Sequence, residues 1–188
     1  CQNGHEGVVR LLLAHAATDV NQAATDDGIT PLWMACGKGH EGVVRLLLVH
    51  AATNVNQATT DTGSTPLFMA CQEGHEGVVR LLLAHAAMDV NQARTNDGQT
   101  PLYKACKKGH EGVARLLLAH AATNVNQATM DTGSTPLFMA CQEDHEVVVR
   151  LLLAHAAMDV NQARKGDGIT PLFMACQKGH EGVVRLLL

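Results

Sequence analysis

Apolar residues along the chain fall into short helical stripes separated by polar turns. From Thr65 onward, Leu67, Ala70 and Cys71 share one helical face at i, i+3 and i+4. Val78, Val79, Leu82 and Leu83 then form a second stripe. Thr65-Pro66 supplies a helix start, with Thr as N-cap and Pro at the first helical position. Gly74-His75 separates the two stripes, because glycine adopts the left-handed conformation without strain. Glu76 opens the second helix, with Arg80 four residues on in the favourable order. An irregular polar stretch from Thr95 to Thr100 follows, with Asn96-Asp97-Gly98 as its turn signal. The pattern predicts two short helices and a loop.

That pattern recurs. Cysteines stand at 1, 36, 71, 106, 141 and 176, each 35 residues from the last, and prolines at 31, 66, 101, 136 and 171 keep the same step. The histidines form two columns with this period, and a Leu triplet repeats from Leu11 to Leu188. Units run approximately over 26–60, 61–95, 96–130 and 131–165, with partial units at 1–25 and 166–188. Neither helix of a unit is long enough to be stable alone. Each unit must bury its apolar faces on its neighbours, which predicts a helical solenoid.

Thr-Pro-Leu-x-x-Ala, Gly-His, Val-Val-Arg-Leu-Leu-Leu and Val-Asn recur at Thr65 to Ala70, Gly74-His75, Val78 to Leu83 and Val90-Asn91. This combination resembles the ankyrin repeat, and the resemblance covers the whole chain. It implies an all-α repeat fold, a helix-turn-helix solenoid with β-hairpin-like fingers between units. It also implies a protein-protein interaction scaffold that binds another protein through its finger tips and the concave face of the first helices. Three departures bear on finger length and orientation. The period is 35 instead of about 33. Ala-Ala, as at Ala51-Ala52 and Ala86-Ala87, replaces the usual Gly-Ala after the second helix, so that helix is expected to run about one residue further. An aromatic ring replaces the His that usually follows Thr-Pro-Leu.

Composition narrows the function. Among 188 residues, 14 Lys+Arg against 18 Asp+Glu give a formal net charge of −4, a poor footprint for nucleic-acid binding. The longest apolar runs fall far short of a membrane span. The Cys-x-x-x-His pairs, such as Cys36 with His40 and Cys106 with His110, raise the question of metal. Zinc needs about four ligands; one unit offers two, and neighbouring helices stack about 8–10 Å apart. Neither a metal, a cofactor nor a disulfide is expected. Six reduced thiols fit an intracellular, cytoplasmic protein, with the nucleus left open. No base and orienting acid accompany the cysteines, and no phosphate-binding glycine loop is present, so the chain reads as no enzyme. Because Cys1 and Leu188 lie inside units that match the internal ones, a fragment of a longer array is expected, flanked by further repeats or domains.

The columns that vary between units are the partner-binding candidates. Trp33, Phe68, Tyr103, Phe138 and Phe173 hold every aromatic ring in the chain, one per unit. They read either as a packing ladder between units or as a stripe open to the concave face, suited to anchoring a partner. Lys38, Glu73, Lys108, Glu143 and Lys178 alternate in sign at the end of the first helix. They read as ion pairs between neighbouring units or as a striped surface for a complementary partner. Arg94, Arg164 and Lys165 add positive charge to two fingers only. Lys104 stands where other units have Met, its stem snorkelling or its charge meeting an acidic partner. Asp144 and Val147 replace glycines and read as drift. Two alternative functions stay open: a structural spacer, favoured by near-identical units, and the targeting module of an enzyme whose catalytic domain lies elsewhere.

Overall fold

The computed structural model describes all 188 residues, which form eleven helices and no strand. In chain order these are α1 (Glu6–Leu13), α2 (Pro31–Gly37), α3 (Glu41–Val49), α4 (Pro66–Glu73), α5 (Glu76–Leu83) and α6 (Pro101–Lys108). Then come α7 (Glu111–Leu118), α8 (Pro136–Gln142), α9 (Glu146–Leu153), α10 (Pro171–Lys178) and α11 (Glu181–Leu187). The first helices of the units, α2, α4, α6, α8 and α10, pack in one row, and the second helices pack in another.

Each first helix starts where the sequence predicts. The hydroxyls of Thr30, Thr65, Thr100, Thr135 and Thr170 accept from the backbone N–H three residues on at 3.1–3.2 Å, ahead of a proline at the first helical position. Such a cap contributes about 1 kcal/mol. Between the rows, Leu32, Leu67, Leu102 and Leu137 meet Val44, Val79, Ala114 and Val149 in one continuous cluster of 31 buried residues. The core therefore runs along the array and has no single centre. Packing thins toward α1: Leu12 is 53% exposed, although its equivalents Leu47, Leu82, Leu117 and Leu152 are buried.

Two ladders of side-chain hydrogen bonds join the units. The first is built on the Gly-His pair. The ring Nε2 of His40, His75, His110, His145 and His180 lies 2.9–3.3 Å from the carbonyl oxygens of Gln2, Gly37, Gln72, Lys107 and Gln142, each 38 residues earlier. A carbonyl only accepts, so Nε2 carries the hydrogen and donates it. Four of these carbonyls belong to the last turn of a first helix, where no intrahelical partner exists. The second ladder is built on the Asn of Val-Asn. Asn91 Nδ2 donates to Ala122 O at 2.6 Å, and its Oδ1 accepts from Asn124 N–H at 2.7 Å. Asn21, Asn56 and Asn126 do the same one unit apart.

The departures from the usual repeat resolve simply. Only α3 runs one residue further, to Val49; α5, α7 and α9 stop at the Leu triplet, capped by a right-handed alanine. The fingers close as tight turns, with Thr59 N–H donating to Ser64 O at 3.0 Å. Neighbouring tips share one backbone bond, as between Thr95 N–H and Thr62 O at 3.1 Å, so they are hairpin-like without forming strands.

The Asn ladder has an internal control. Asn161 stands at the end of the ladder, and its side chain makes no hydrogen bond. Asn91→Ala is expected to lower the free energy of chemical unfolding by about 1–2 kcal/mol. Asn161→Ala is expected to cost under about 0.5 kcal/mol. Equal losses from the two substitutions contradict the inter-unit role.

Candidate functional site

The aromatic column is an inter-unit packing ladder over most of its length. Phe68, Tyr103 and Phe138 are 1%, 5% and 1% exposed. Their neighbours close over them. The Arg94 guanidinium lies 5.3 Å from the Phe68 ring centroid, and that of Arg164 lies 5.0 Å from the Phe138 centroid. Tyr103 packs in a small cluster with Phe138, Met139 and Met174, and burial, then the nearby Asp131 charge, pushes its hydroxyl pKa up to about 12. These three rings are therefore sealed from any partner, which corrects the reading of the column as a continuous anchoring stripe. Phe173 is 54% exposed, and Trp33 is half-buried.

The finger arginines are also engaged. Arg94 pairs with Asp97 at 3.7 Å, and Arg164 pairs with Asp167. Each arginine sits between the ring of the first helix before it and a carboxylate of its own finger, while Lys165 alone of this group stays exposed and unpaired. This cation–π and ion-pair role corrects the expectation that Arg94 and Arg164 present free charge at the finger tips.

The alternating column behaves differently from either ion-pair expectation or packing. Lys38, Glu73, Lys108, Glu143 and Lys178 are all exposed, and no two of them lie within ion-pair distance. Glu73 and Glu143 instead accept from the adjacent Gln72 and Gln142 side-chain amides at 2.9 Å. The expected pairing between units is thus corrected: the glutamates are engaged by the amides beside them, and the lysines stay exposed without a carboxylate partner. Lys104 lies on the same face, half-buried, with its ammonium 5.7 Å from the Phe68 ring centroid.

A depression of about 300 Å³ opens on this face, lined by Gln2, by Trp33, Met34 and Gly37 of α2 with Lys38 just after it, and by Met69 and Glu73 of α4. It exists because Gly37 occupies the position filled by Gln72, Lys107, Gln142 and Gln177 in the other units. Met34, Gly37 and Met69 escape sequence reasoning that follows charge and rings alone. The break in the Gln/Lys column at Gly37 was the available signal.

The Cys-x-x-x-His pairs are separated in role. Cys36, Cys71, Cys106 and Cys141 are fully buried in the core, and burial pushes their thiol pKa values up, that of Cys141 to about 12. The neighbouring histidine rings turn outward to the carbonyl ladder. No group of three or more His, Cys, Asp or Glu side chains converges on a point.

The family model described as ankyrin repeats in three copies matches residues 1–59, 49–129 and 120–188, which together span the chain. The chain belongs to the ankyrin-repeat family. No curated relative matches it. In this ankyrin array the one irregular unit is the fifth. Asp144 takes the left-handed conformation at φ 60°, the only residue other than glycine with positive φ, and its carboxylate lies 3.6 Å from His180 Nδ1. At Gly42, Gly77, Gly112 and Gly182 the glutamate carboxylate of the preceding second helix occupies the space that a Cβ would fill. Val147 stands at this position in the fifth unit, so Glu111 has no such seat. No helix is long and apolar enough to cross a membrane.

Thiol accessibility checks the burial of this column. Alkylation of the native array at mildly alkaline pH is expected to modify Cys1 and Cys176 and to spare the four buried thiols until denaturant is added. Rapid native labelling of Cys71 or Cys106 contradicts the packing described.

Proposed function

We propose that this ankyrin array is a protein-protein interaction scaffold that binds its partner on the concave face formed by the first helices and along the finger tips. The observation that carries this reading is the division of labour between columns. The constant Thr, His, Asn, Leu and Val columns are consumed by caps, ladders and core. Among the positions that differ between units, the column at the end of the first helices keeps exposed side chains, and these lie on one face. Lys38, Glu73, Lys108 and Glu143 supply charge there, and the Trp33–Met34–Met69 depression supplies an apolar seat. A rigid frame with variable, uncommitted side chains lowers the ordering cost of binding. The six free thiols support a reducing, cytoplasmic setting. Buried thiols and carbonyl-bound imidazoles offer no activated nucleophile, which supports a binding role over a catalytic one.

A structural-spacer reading is favoured by one observation: the histidine ladder runs without a gap from Gln2–His40 to Gln142–His180. Affinity capture from an extract of the source cells separates the two. Baits are the unaltered array, a first-helix variant (Gly37→Gln with Lys38→Glu) and an outer-face variant (Arg45→Glu with Arg115→Glu). The scaffold reading expects a set of proteins that the unaltered array retains. Retention of that set drops at least about tenfold with the first-helix variant and changes less than about twofold with the outer-face variant. Loss on the outer-face variant alone, or no protein retained by any bait, overturns it, and the second outcome favours the spacer.

A further inference from the structure

Among the first helices, α6 departs furthest from its neighbours in charge. Where α4 carries Met69, Gln72 and Glu73 and α8 carries Met139, Gln142 and Glu143, α6 carries Lys104, Lys107 and Lys108. Spaced i, i+3 and i+4, the three lysines share one helical face. Lys104 and Lys107 are half-buried, and Lys108 is exposed. None of the three ammonium groups has a carboxylate within ion-pair distance or donates a hydrogen bond to the rest of the protein, the only side-chain hydrogen bond at these residues being the one the Lys107 backbone carbonyl accepts from His145. The Arg94 guanidinium joins them by sharing the Phe68 ring with Lys104, at 5.3 and 5.7 Å from its centroid, but Asp97 already balances Arg94. Burial, reinforced by the charges of Lys107, Arg94 and Lys108, holds the Lys104 ammonium pKa below its ordinary value. The fold thus concentrates three uncompensated positive charges in a chain whose net charge is −4. Like charges this close repel, and the array tolerates the repulsion at one unit only.

We propose that the α6 lysines are the docking site for a short acidic segment of the partner protein, two or three carboxylates wide. This rests on the scaffold reading given above and adds the chemistry of what the face receives. The width follows from the neighbours. Glu73 on α4 and Glu143 on α8 are exposed on either side of α6, about one helix spacing of 8–10 Å away. An acidic cluster confined to α6 meets only lysine. A long polyanion such as a nucleic acid laid along the row crosses both glutamates, and the negative net charge opposes it further. The glutamates also fix register, since sliding the acidic cluster by one unit sets like charges against each other.

Fluorescence anisotropy tests this with three labelled probes. They are a peptide of about 12 residues with four central Glu/Asp, the same peptide with Gln/Asn in their place, and a single-stranded DNA of about 12 nucleotides. The key variant is Lys104→Met with Lys107→Gln and Lys108→Glu, which installs residues already present and folded in the adjacent units. The control, Arg45→Glu with Arg115→Glu, makes the same change in net charge on the outer face. The acidic peptide is expected to bind the unaltered array saturably and the amide peptide not to bind. The lysine variant is expected to weaken binding at least about tenfold, the control less than about threefold, and salt raised from about 0.05 to 0.5 M to weaken it strongly. Equal binding to the lysine variant and the control, no binding of the acidic peptide, or tighter lysine-dependent binding of the DNA each overturns the proposal. If the captured proteins still depend on Gly37 and Lys38 when the acidic peptide fails, the acidic-segment inference falls and the scaffold reading stands; if that dependence is also absent, both fall.

Discussion

The unit boundaries from α2 onward are organised by one contact, the histidine ring that donates to a last-turn carbonyl of the preceding first helix. A helix of seven or eight residues ends with carbonyls that have no partner within it. In an isolated unit water would have to serve them. Here the next unit supplies an N–H at 2.9–3.3 Å. That donor sits at the C-terminal, partially negative end of the helix, where a polarised N–H is favoured. The ring must lie flat against the backbone it serves, and this dictates the residue there. A Cβ at Gly74 would stand 2.9 Å from His110 Nδ1, and the backbone at Gly74 is left-handed. Glycine satisfies both demands. Asp144 is the exception that shows the constraint: it keeps the left-handed turn, at roughly 1–2 kcal/mol for a residue with a side chain, and directs its carboxylate at the His180 ring.

From this contact the rest follows in order. Fixing the first helices at a constant offset lets their Leu, Ala and Cys faces mesh with the Val and Leu stripes of the second helices, so one core extends along the array. The Asn ladder and the single bonds between finger tips then hold the opposite edge in register. Because each unit touches only its neighbours, cooperativity is local in origin and propagates by stacking. The first-helix face gains a fixed, repeating set of positions whose side chains are free to differ from unit to unit.

Much of this was legible in the sequence because the signals are local. Thr65-Pro66 and its equivalents start helices through atoms three residues apart, and Gly74-His75 ends them the same way. The 35-residue step then gives the stacking. What escaped was information that crosses a unit boundary. His75 reads as a turn residue, and only the packed array shows its partner to be Gly37, 38 positions earlier. Whether Phe68 is buried depends on Arg94 and Lys104, which lie 26 and 36 residues further along the chain. Lys38 and Glu73 look like an ion pair in a list of alternating signs, but in the packed array Glu73 takes the Gln72 amide instead. The depression beside Gly37 is an absence of side chain, which a search for reactive or charged residues passes over.

The account stands on stability that accumulates unit by unit across these boundaries. Chemical unfolding of the chain shortened by one unit at a time from either end measures this directly. Each removal is expected to lower both the unfolding free energy and its denaturant dependence by a similar step, since each deletes one unit and one set of histidine, asparagine and core contacts. An unfolding free energy that stays constant as units are removed, or that collapses entirely on loss of one particular unit, contradicts it.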